Sequence, residues 1–427
     1  MYTMQKLKTE YAIVGTGAGG AMLAQELARA GKDVVMIERG VGMSSFAHME
    51  ELDLGRELYQ DTGKYPRTQE GYSILKGLNV GGTTELAIGH GMRVFEDEFR
   101  AMGIDLHEAF HETETELGIV PMPDAHIGPN AALLTEAAES LNMGITTWTK
   151  FIDFDRCTHC GRCVISCPIN AKWSANWILD GLRERENVRL LTETRVQTVI
   201  TEQGCAAGLR CEAVSGPMEV RAERVILSAG GLGTPVILQN SGIEAGQSLF
   251  LDIFPIVYGR SPLFTARLEP SMPTIFNEYE NRGYVLAPHV DVALMFQGIR
   301  GWFGDAPPYG IMVKTSDDNH GRVDRQGRVF KTLTDADKKR IADGKREALE
   351  IMHAAGVPSD TITVSELVGG HPGGTAAVGD VINPDLSCKS MKNLFVCDAS
   401  VFPRSPGRPP IVTICALAKW LGRQLIQ

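Results

Sequence analysis

The chain has 427 residues, with 42 Lys and Arg against 52 Asp and Glu, a formal net charge of −10. Hydrophobic residues make up 43% and charged residues 22%, a globular composition with room for two or three domains around a large core. The acidic balance argues against a general nucleic-acid binder, and no apolar run approaches the roughly 18 residues of a membrane span.

In chain order, residues 11–14 form a short apolar run ended by glycines, which predicts a buried parallel strand. A helix is expected over 19–30, stopped by Gly31, then a second buried strand at 34–37 that ends in Glu38. Residues 41–80 are less regular, and residues 77–84 form a glycine-rich loop. Residues 94–118 and 130–143 read as amphipathic helices, followed by four Cys within 157–167. Short strands are expected at 188–199 and 218–227, then a helix over 234–241 with Pro235 near its first turn. Residues 250–330, rich in β-branched and aromatic residues between turns, predict an antiparallel sheet. Thr334 and Asp337 resemble a capping box, and the helix behind them places Ile341, Ala348, Leu349, Met352 and Ala355 on one face. The chain closes with a strand at 394–397, a Pro-rich loop and a helix from about Ile411.

Gly15-x-Gly17-x-x-Gly20 follows the first strand and opens the first helix. Glycines at this spacing allow a tight turn, close backbone approach to a pyrophosphate and close helix–strand packing. The helix N-terminus then offers free N–H groups to phosphate. Glu38, 18 residues after Gly20 in the sequence, suits a carboxylate that binds a ribose diol. The fingerprint alone does not separate FAD from NAD.

Three further segments narrow this. Residues 81–84 read Gly-Gly-Thr-Thr. Residues 229–243 read Ala-Gly-Gly-Leu-Gly-Thr-Pro-Val-Ile-Leu-Gln-Asn-Ser-Gly-Ile. Residues 371–379 read His-Pro-Gly-Gly-Thr-Ala-Ala-Val-Gly and lead to 393–403, Asn-Leu-Phe-Val-Cys-Asp-Ala-Ser-Val-Phe-Pro. In this order they resemble the glucose-methanol-choline (GMC) family of flavin oxidoreductases over most of the chain, more weakly at 41–75 and 100–185. The resemblance implies FAD and an α/β fold, α+β overall: a discontinuous Rossmann-type FAD-binding domain, an antiparallel-sheet substrate domain and a small iron–sulfur insertion. The expected layout is FAD-binding parts at 1–99, 186–246 and 366–427, a helical segment with the cluster loop (157–168) at 100–185, and a substrate domain at 247–365. By position, the resemblance puts Gly15, Gly17 and Gly20 against the pyrophosphate and Glu38 on the adenosine ribose. Gly81, Gly82 and Thr83 would pass close to the diphosphate or flavin. Val196 would hold the adenine edge through its backbone, and Asp398 the ribityl or diphosphate region. The alternatives are a buried strand residue for Val196 and a helix N-cap for Asp398.

The same resemblance makes His371 the base beside the flavin, removing a hydroxyl proton as hydride leaves carbon; a neutral imidazole suits that task. The chain departs from the family pattern at Pro409, which stands where a second His or Asn is usual and has neither a side-chain donor nor an N–H. Arg404 or Arg408 is a cationic substitute or a solvated charge. The chain is also short for the family, so a trimmed substrate side and a more open flavin site, closed by a partner chain, are expected. Trp302, Phe303 and Tyr309 hint at apolar pocket lining or are core.

The nine Cys are the second departure. Residues 1–10 lack the apolar core of a secretory signal, so a cytoplasmic location is expected, where disulfides are rare. Cys157, Cys160, Cys163 and Cys167-Pro168 form the C-x2-C-x2-C-x3-C-P run of bacterial ferredoxins, which common GMC enzymes lack. It points to a [4Fe-4S] cluster, against structural zinc or redox-sensing thiols. In two-cluster ferredoxins the fourth Cys of such a run serves the other cluster. The last ligand here is therefore Cys167 or a remote Cys among Cys205, Cys211, Cys388, Cys397 and Cys415.

A flavin exchanging two electrons beside a one-electron cluster implies a dehydrogenase of a CH–OH small molecule. It would pass single electrons to an external carrier, such as a ferredoxin or a partner electron-transfer subunit, rather than to oxygen. The alternatives are a ferredoxin-driven reductase of a C=O or C=C substrate, or a non-catalytic flavin and iron–sulfur electron-transfer subunit.

Overall fold

A computed structural model describes residues 4–42, 57–58, 66–265, 269–276, 282–290 and 309–426. Trp302 and Phe303 lie outside the described residues. The apolar runs around the fingerprint build one seven-stranded sheet. Strand Gln5–Val14 lies at its centre, parallel to Val34–Ile37 on one side and to Gly216–Leu227 on the other. Val188–Leu191 extends it in parallel at one edge, and Leu394–Val396 joins Gly216–Leu227. Three distant chain segments thus meet in one sheet, as a discontinuous Rossmann-type domain requires. Helices Ala18–Arg29 and Ile411–Ile426 cover one face, where Leu23, Leu27, Val412, Ala416 and Leu421 share the main core. The C-terminal helix is tied back to the first strand, since Tyr11 donates to the Leu425 carbonyl at 2.9 Å.

The stretch 188–227 holds more strand than its sequence suggested. Cys205–Ala213 runs antiparallel to Gly216–Leu227 on one side and to Thr194–Glu202 on the other, forming a meander beyond the parallel sheet. The turns at Gln203-Gly204 and Val214-Ser215 are short enough for hairpins.

The second sheet is antiparallel throughout, in the order Thr363–Val364, Ile256–Gly259, Tyr309–Thr315, Tyr284–Val290, Thr274–Phe276, Ile145–Thr147. Its last strand comes from the segment read as helical. That segment instead has separate helices at Glu96–Ala101, His107–Leu117 and Pro129–Ser140, then the β-branched run Ile145–Thr147 pairing with Thr274–Phe276. Period-two alternation divides the sheet's faces. Leu286, Ile311 and Val313 pack on helix Asp335–Ala354, through Ala348, Ile351 and Met352. Val285, Ala287 and Met312 face the other way, with Trp148 and Phe254. His289 and Lys314 fall on that second face by the same alternation. Tyr309 packs in the helix-side cluster, with its hydroxyl donating to Glu269.

The capping box forms: Asp337 N–H donates to Thr334 Oγ1 at 3.1 Å, and Thr334 N–H to the Asp337 carboxylate at 2.9 Å. The helix read at 234–241 starts four residues earlier, as Gly230–Asn240, with Pro235 inside it. Proline has no N–H to give the Gly231 carbonyl one turn back. Thr375 Oγ1 donates to that carbonyl instead, at 2.8 Å.

Candidate active site and cysteine cavity

The three fingerprint glycines divide by what surrounds them. A Cβ on Gly15, whose φ is +96°, would lie 2.2 Å from the Ser228 carbonyl oxygen, and one on Gly20 would lie 2.1 Å from the Gly15 carbonyl oxygen. These two serve the turn and the helix–strand packing. A Cβ on Gly17 would have no atom within 4 Å, so this residue, which begins the first helix, faces open space. Gly82 comes up beside it, a Cβ there lying 3.4 Å from Gly17 Cα. Gly81 N–H donates to Thr16 Oγ1 at 3.1 Å, and Thr83 Oγ1 accepts from Gly77 N–H. The two glycine-rich loops therefore flank one cradle at a helix N-terminus, a place for a diphosphate.

Glu38 is buried at one side. Its carboxylate accepts from Thr16 N–H and Oγ1 at 3.1 and 2.8 Å, and from Gly40 N–H at 2.8 Å. A carboxylate has about four acceptor sites, so capacity for a ribose diol remains. The Glu38 carbonyl accepts from Thr194 N–H at 2.9 Å, which puts the start of the Val196 strand alongside. Val196 itself is buried, at a register shift between Val196 and Thr198. Asp398 is buried and caps the short helix Ala399–Val401. Its carboxylate also accepts from Gly230 N–H at 2.8 Å and Thr234 Oγ1 at 2.6 Å. Burial pushes that carboxyl above its ordinary range, opposed by these donors. The carboxylate is engaged within the protein, tying the start of helix Gly230–Asn240 to the Asp398–Ser400 turn.

His371 follows strand Val368–Gly369, which pairs antiparallel with Ile253–Phe254. That register sets His371 N–H on the Leu251 carbonyl at 2.9 Å and brings Asp252 opposite the ring. His371 Nδ1 lies 2.9 Å from Asp252 Oδ2, with the imidazole 24% exposed and the carboxylate 0%. A carboxylate only accepts, so Nδ1 carries the proton and Nε2 is left as the basic atom. Asp252 adopts a left-handed φ of +52° and also accepts from Ser405 Oγ and from Gly407 N–H at 3.1 Å. Lys314 Nζ donates to the Asp252 carbonyl at 3.0 Å and lies 3.8 Å from its carboxylate. Burial, then Lys314, lower the His371 pKa below the ordinary 6.5, while Asp252 works against them. Asp252, Lys314 and Ser405 escaped the sequence reading. The available signal was a lone acid inside the apolar run 249–254, since a buried carboxylate must find partners.

The loop after His371 carries Pro409 half-buried and without a donor. Arg404 is paired with Glu98 and stacked over Phe95 at 4.7 Å, which is the solvated-charge alternative. Arg408 is partly buried.

The four clustered cysteines line one cavity, whose walls include Ile152, Ile169 and Ala171. Ala171 N–H donates to Cys167 Sγ at 3.2 Å. Among the described residues, no group of three or more His, Cys, Asp and Glu is arranged to hold a metal ion. Burial raises the Cys157 thiol pKa, and that of Cys163 to about 11. None of the five other cysteines lines this cavity. Cys211, Cys388, Cys397 and Cys415 are buried, and burial raises the thiols of Cys211, Cys397 and Cys415, as for inert apolar residues.

The cysteine loop is joined directly to the Gly81–Glu85 loop. Glu85 accepts from Ser166 Oγ at 2.8 Å through its carboxylate and from Ser166 N–H at 3.1 Å through its carbonyl. Asn176 Nδ2 donates to the other carboxylate oxygen at 2.7 Å.

Comparison with known proteins agrees with this layout. The family model for GMC oxidoreductase matches residues 55–257 with its N-terminal part and 313–418 with its C-terminal part, and a model for the FAD binding domain matches 8–46. An uncharacterized protein of Methanocaldococcus jannaschii is 28% identical over 430 residues, covering 98% of this chain and 100% of the relative. An uncharacterized GMC-type oxidoreductase of Mycobacterium tuberculosis is 26% identical, covering 98% of this chain and 76% of its own length. A long-chain-alcohol oxidase of Arabidopsis thaliana is 22% identical, covering 99% and 69%. Among solved structures, pyridoxine 4-oxidase from Mesorbium loti aligns with a TM-score of 0.72 at 19% identity, covering 97% of this chain and 99% of that one. Formate oxidase of Aspergillus oryzae aligns with a TM-score of 0.74 at 15% identity, covering 99% of each chain. At these identities the structures establish the fold.

Proposed function

The chain belongs to the GMC oxidoreductase family and is an FAD-dependent oxidoreductase, and from that premise we propose that it oxidises a CH–OH group of a small molecule with His371 as base, passing single electrons through a [4Fe-4S] cluster to an external carrier. The carrying observation is the His371–Asp252 pair at 2.9 Å. Related names point to alcohol chemistry, long-chain-alcohol oxidase and pyridoxine 4-oxidase among them.

Gly17, Gly81 and Gly82 would admit the diphosphate, Glu38 the ribose, Val196 the adenine and Asp398 the loops around the diphosphate. FAD, when bound, supplies the two-electron acceptor. Asp252 holds the imidazole with Nδ1–H inward, so Nε2 receives the substrate hydroxyl proton. Burial and Lys314 keep the ring neutral and ready to accept that proton. The Pro-rich loop, which lacks a second catalytic side chain at Pro409, instead supplies Ser405 Oγ and Gly407 N–H to Asp252.

The cluster reading rests on the ferredoxin spacing of the four cysteines and on their lining one cavity. Cys157, Cys160, Cys163 and Cys167 would be the ligands, with Ala171 N–H tuning the Cys167 sulfur. A [4Fe-4S] cluster, when bound, carries one electron at a time. The Glu85–Ser166 bonds give it a direct neighbour in the flavin loop. The missing donor at Pro409 also favours a second reading, a reductase of a C=O or C=C bond driven by a ferredoxin or a partner electron-transfer subunit.

His371→Ala tests the catalytic assignment. The variant is expected to retain FAD and its visible spectrum, while anaerobic flavin bleaching by an alcohol substrate slows by about 100-fold or more, the usual scale of a lost general base. Unchanged bleaching would remove His371 from the mechanism.

A further inference from the structure

Two buried lysines are left unused by the chemistry above: Lys172 lines the cysteine cavity, and Lys150 bonds the Ile88 carbonyl, just beyond the Gly81–Glu85 loop. Lys172 is 2% exposed. Its Nζ donates to the carbonyl oxygens of Thr84, Glu85, Ala87 and Cys163 at 3.3, 2.8, 2.6 and 2.9 Å. Lys150 is 0% exposed, and its Nζ donates to the carbonyls of Ser271 and Ile88 at 3.0 and 3.5 Å. Neither makes a salt bridge among the described residues. The carboxylate of Glu85 is hydrogen-bonded to Ser166 and Asn176 and acts on Lys172 only through space. By contrast Lys331, equally buried, is paired with Asp317.

An ammonium group taken out of water without a counter-ion is costly, and carbonyl dipoles offset only part of that. Glu85 offsets part of that cost for Lys172, and burial still lowers the pKa of both lysines, that of Lys150 to about 7; an anion in the cavity that Lys172 lines would hold it charged. Lys172 bonds the Cys163 carbonyl and lines the same cavity as the four cysteines. Four thiolates around an iron–sulfur core carry net negative charge, and reduction adds one more. A fixed cation nearby stabilises the reduced form more than the oxidised form.

Resting on the reading that this cavity holds a [4Fe-4S] cluster, we infer that Lys172, supported by Lys150, is the cluster's built-in counter-charge, raising its reduction potential toward the flavin and fastening the cysteine loop to the flavin loop. Lys172 is a positioning residue in this role. The placement accounts for its four acceptors: three belong to the segment just after Gly81-Gly82-Thr83 and the fourth to a cysteine of the cavity.

The test is an anaerobic redox titration of the full-length holoprotein, following the reduced cluster by electron paramagnetic resonance and the flavin by absorbance. Lys172→Met and Lys172→Gln are expected to shift the cluster midpoint to more negative potential at unchanged iron and sulfide content, with the flavin midpoint moving less. Lys172→Arg, which keeps the charge, is expected to restore it. Lys150→Met shifts it in the same direction, and it carries the measurement if the Lys172 variants fail to fold. Fully loaded variants with an unmoved cluster midpoint would overturn the counter-charge while leaving the cluster in place. An unsubstituted protein that gives no cluster signal would instead overturn the cluster reading, and the counter-charge with it.

Discussion

His371 titrates under opposing influences that separate substitutions can dissect. Burial and Lys314 lower its pKa below 6.5, while Asp252 raises it. The base form therefore persists below the ordinary imidazole range, and the acid limb of kcat/KM is expected below pH 6.5. Asp252→Asn removes the raising influence, so it moves that limb to still lower pH. It also lowers kcat, because the ring loses its anchor. Lys314→Met moves the limb upward. A pH profile of the three proteins checks the signs, and shifts in the reverse directions would refute the pair's electrostatics. The same depression makes stability fall as pH drops below 6.5, where the unfolded chain binds the proton first. His371 was legible from its motif. Asp252 was not, because its partner lies 119 residues away and only strand register brings them together.

The fingerprint glycines make a second residue-scale prediction. Gly17→Val adds a side chain with no protein atom in its way, so the variant folds but loses FAD. Gly15→Ala and Gly20→Ala drive a methyl into backbone carbonyls at 2.2 and 2.1 Å and destabilise the fold itself. Circular dichroism melting beside flavin content separates the two outcomes. A Gly17→Val protein with full FAD would place the cofactor elsewhere.

At the scale of elements, the sequence marked helices well where caps and periodicity agreed, as at Thr334, and less well where tertiary contacts decide. Helix Gly230–Asn240 tolerates Pro235 only because Thr375, 144 residues away, satisfies the Gly231 carbonyl. Thr375→Val keeps the shape and leaves that carbonyl buried and unpaired, at a cost of about 1–3 kcal/mol. A denaturant midpoint indistinguishable from the parent would show that the hydroxyl contributes nothing. Strand Ile145–Thr147 was missed for a related reason, since three residues carry little local signal until Thr274–Phe276 pairs with them. The meander over 194–227 was half visible, its middle strand Cys205–Ala213 lacking a clean apolar alternation.

Over the whole molecule, three sheets contribute residues to the site. The parallel sheet supplies the cradle, the antiparallel sheet supplies Lys314, and the small sheet of Ile253–Phe254, Val368–Gly369 and Ser73–Ile74 carries His371 just beyond its Val368–Gly369 strand. This architecture followed from the order of the motifs, because glycine loops and strand ends are local and close to invariant in their geometry. The shortness of the chain has a counterpart in its relatives: it spans 76% of the Mycobacterium tuberculosis protein but 100% of the Methanocaldococcus jannaschii one. The nine cysteines divide by position, four on one cavity beside the flavin loop and five elsewhere. That cavity carries the central claim, that flavin chemistry is joined to one-electron transfer within a single chain. Anaerobic purification with quantification of FAD, iron, acid-labile sulfide and zinc tests it most directly. The account predicts stoichiometric FAD with about four irons and about four sulfides per chain, whereas FAD accompanied by zinc, or by no metal and no sulfide, would contradict it.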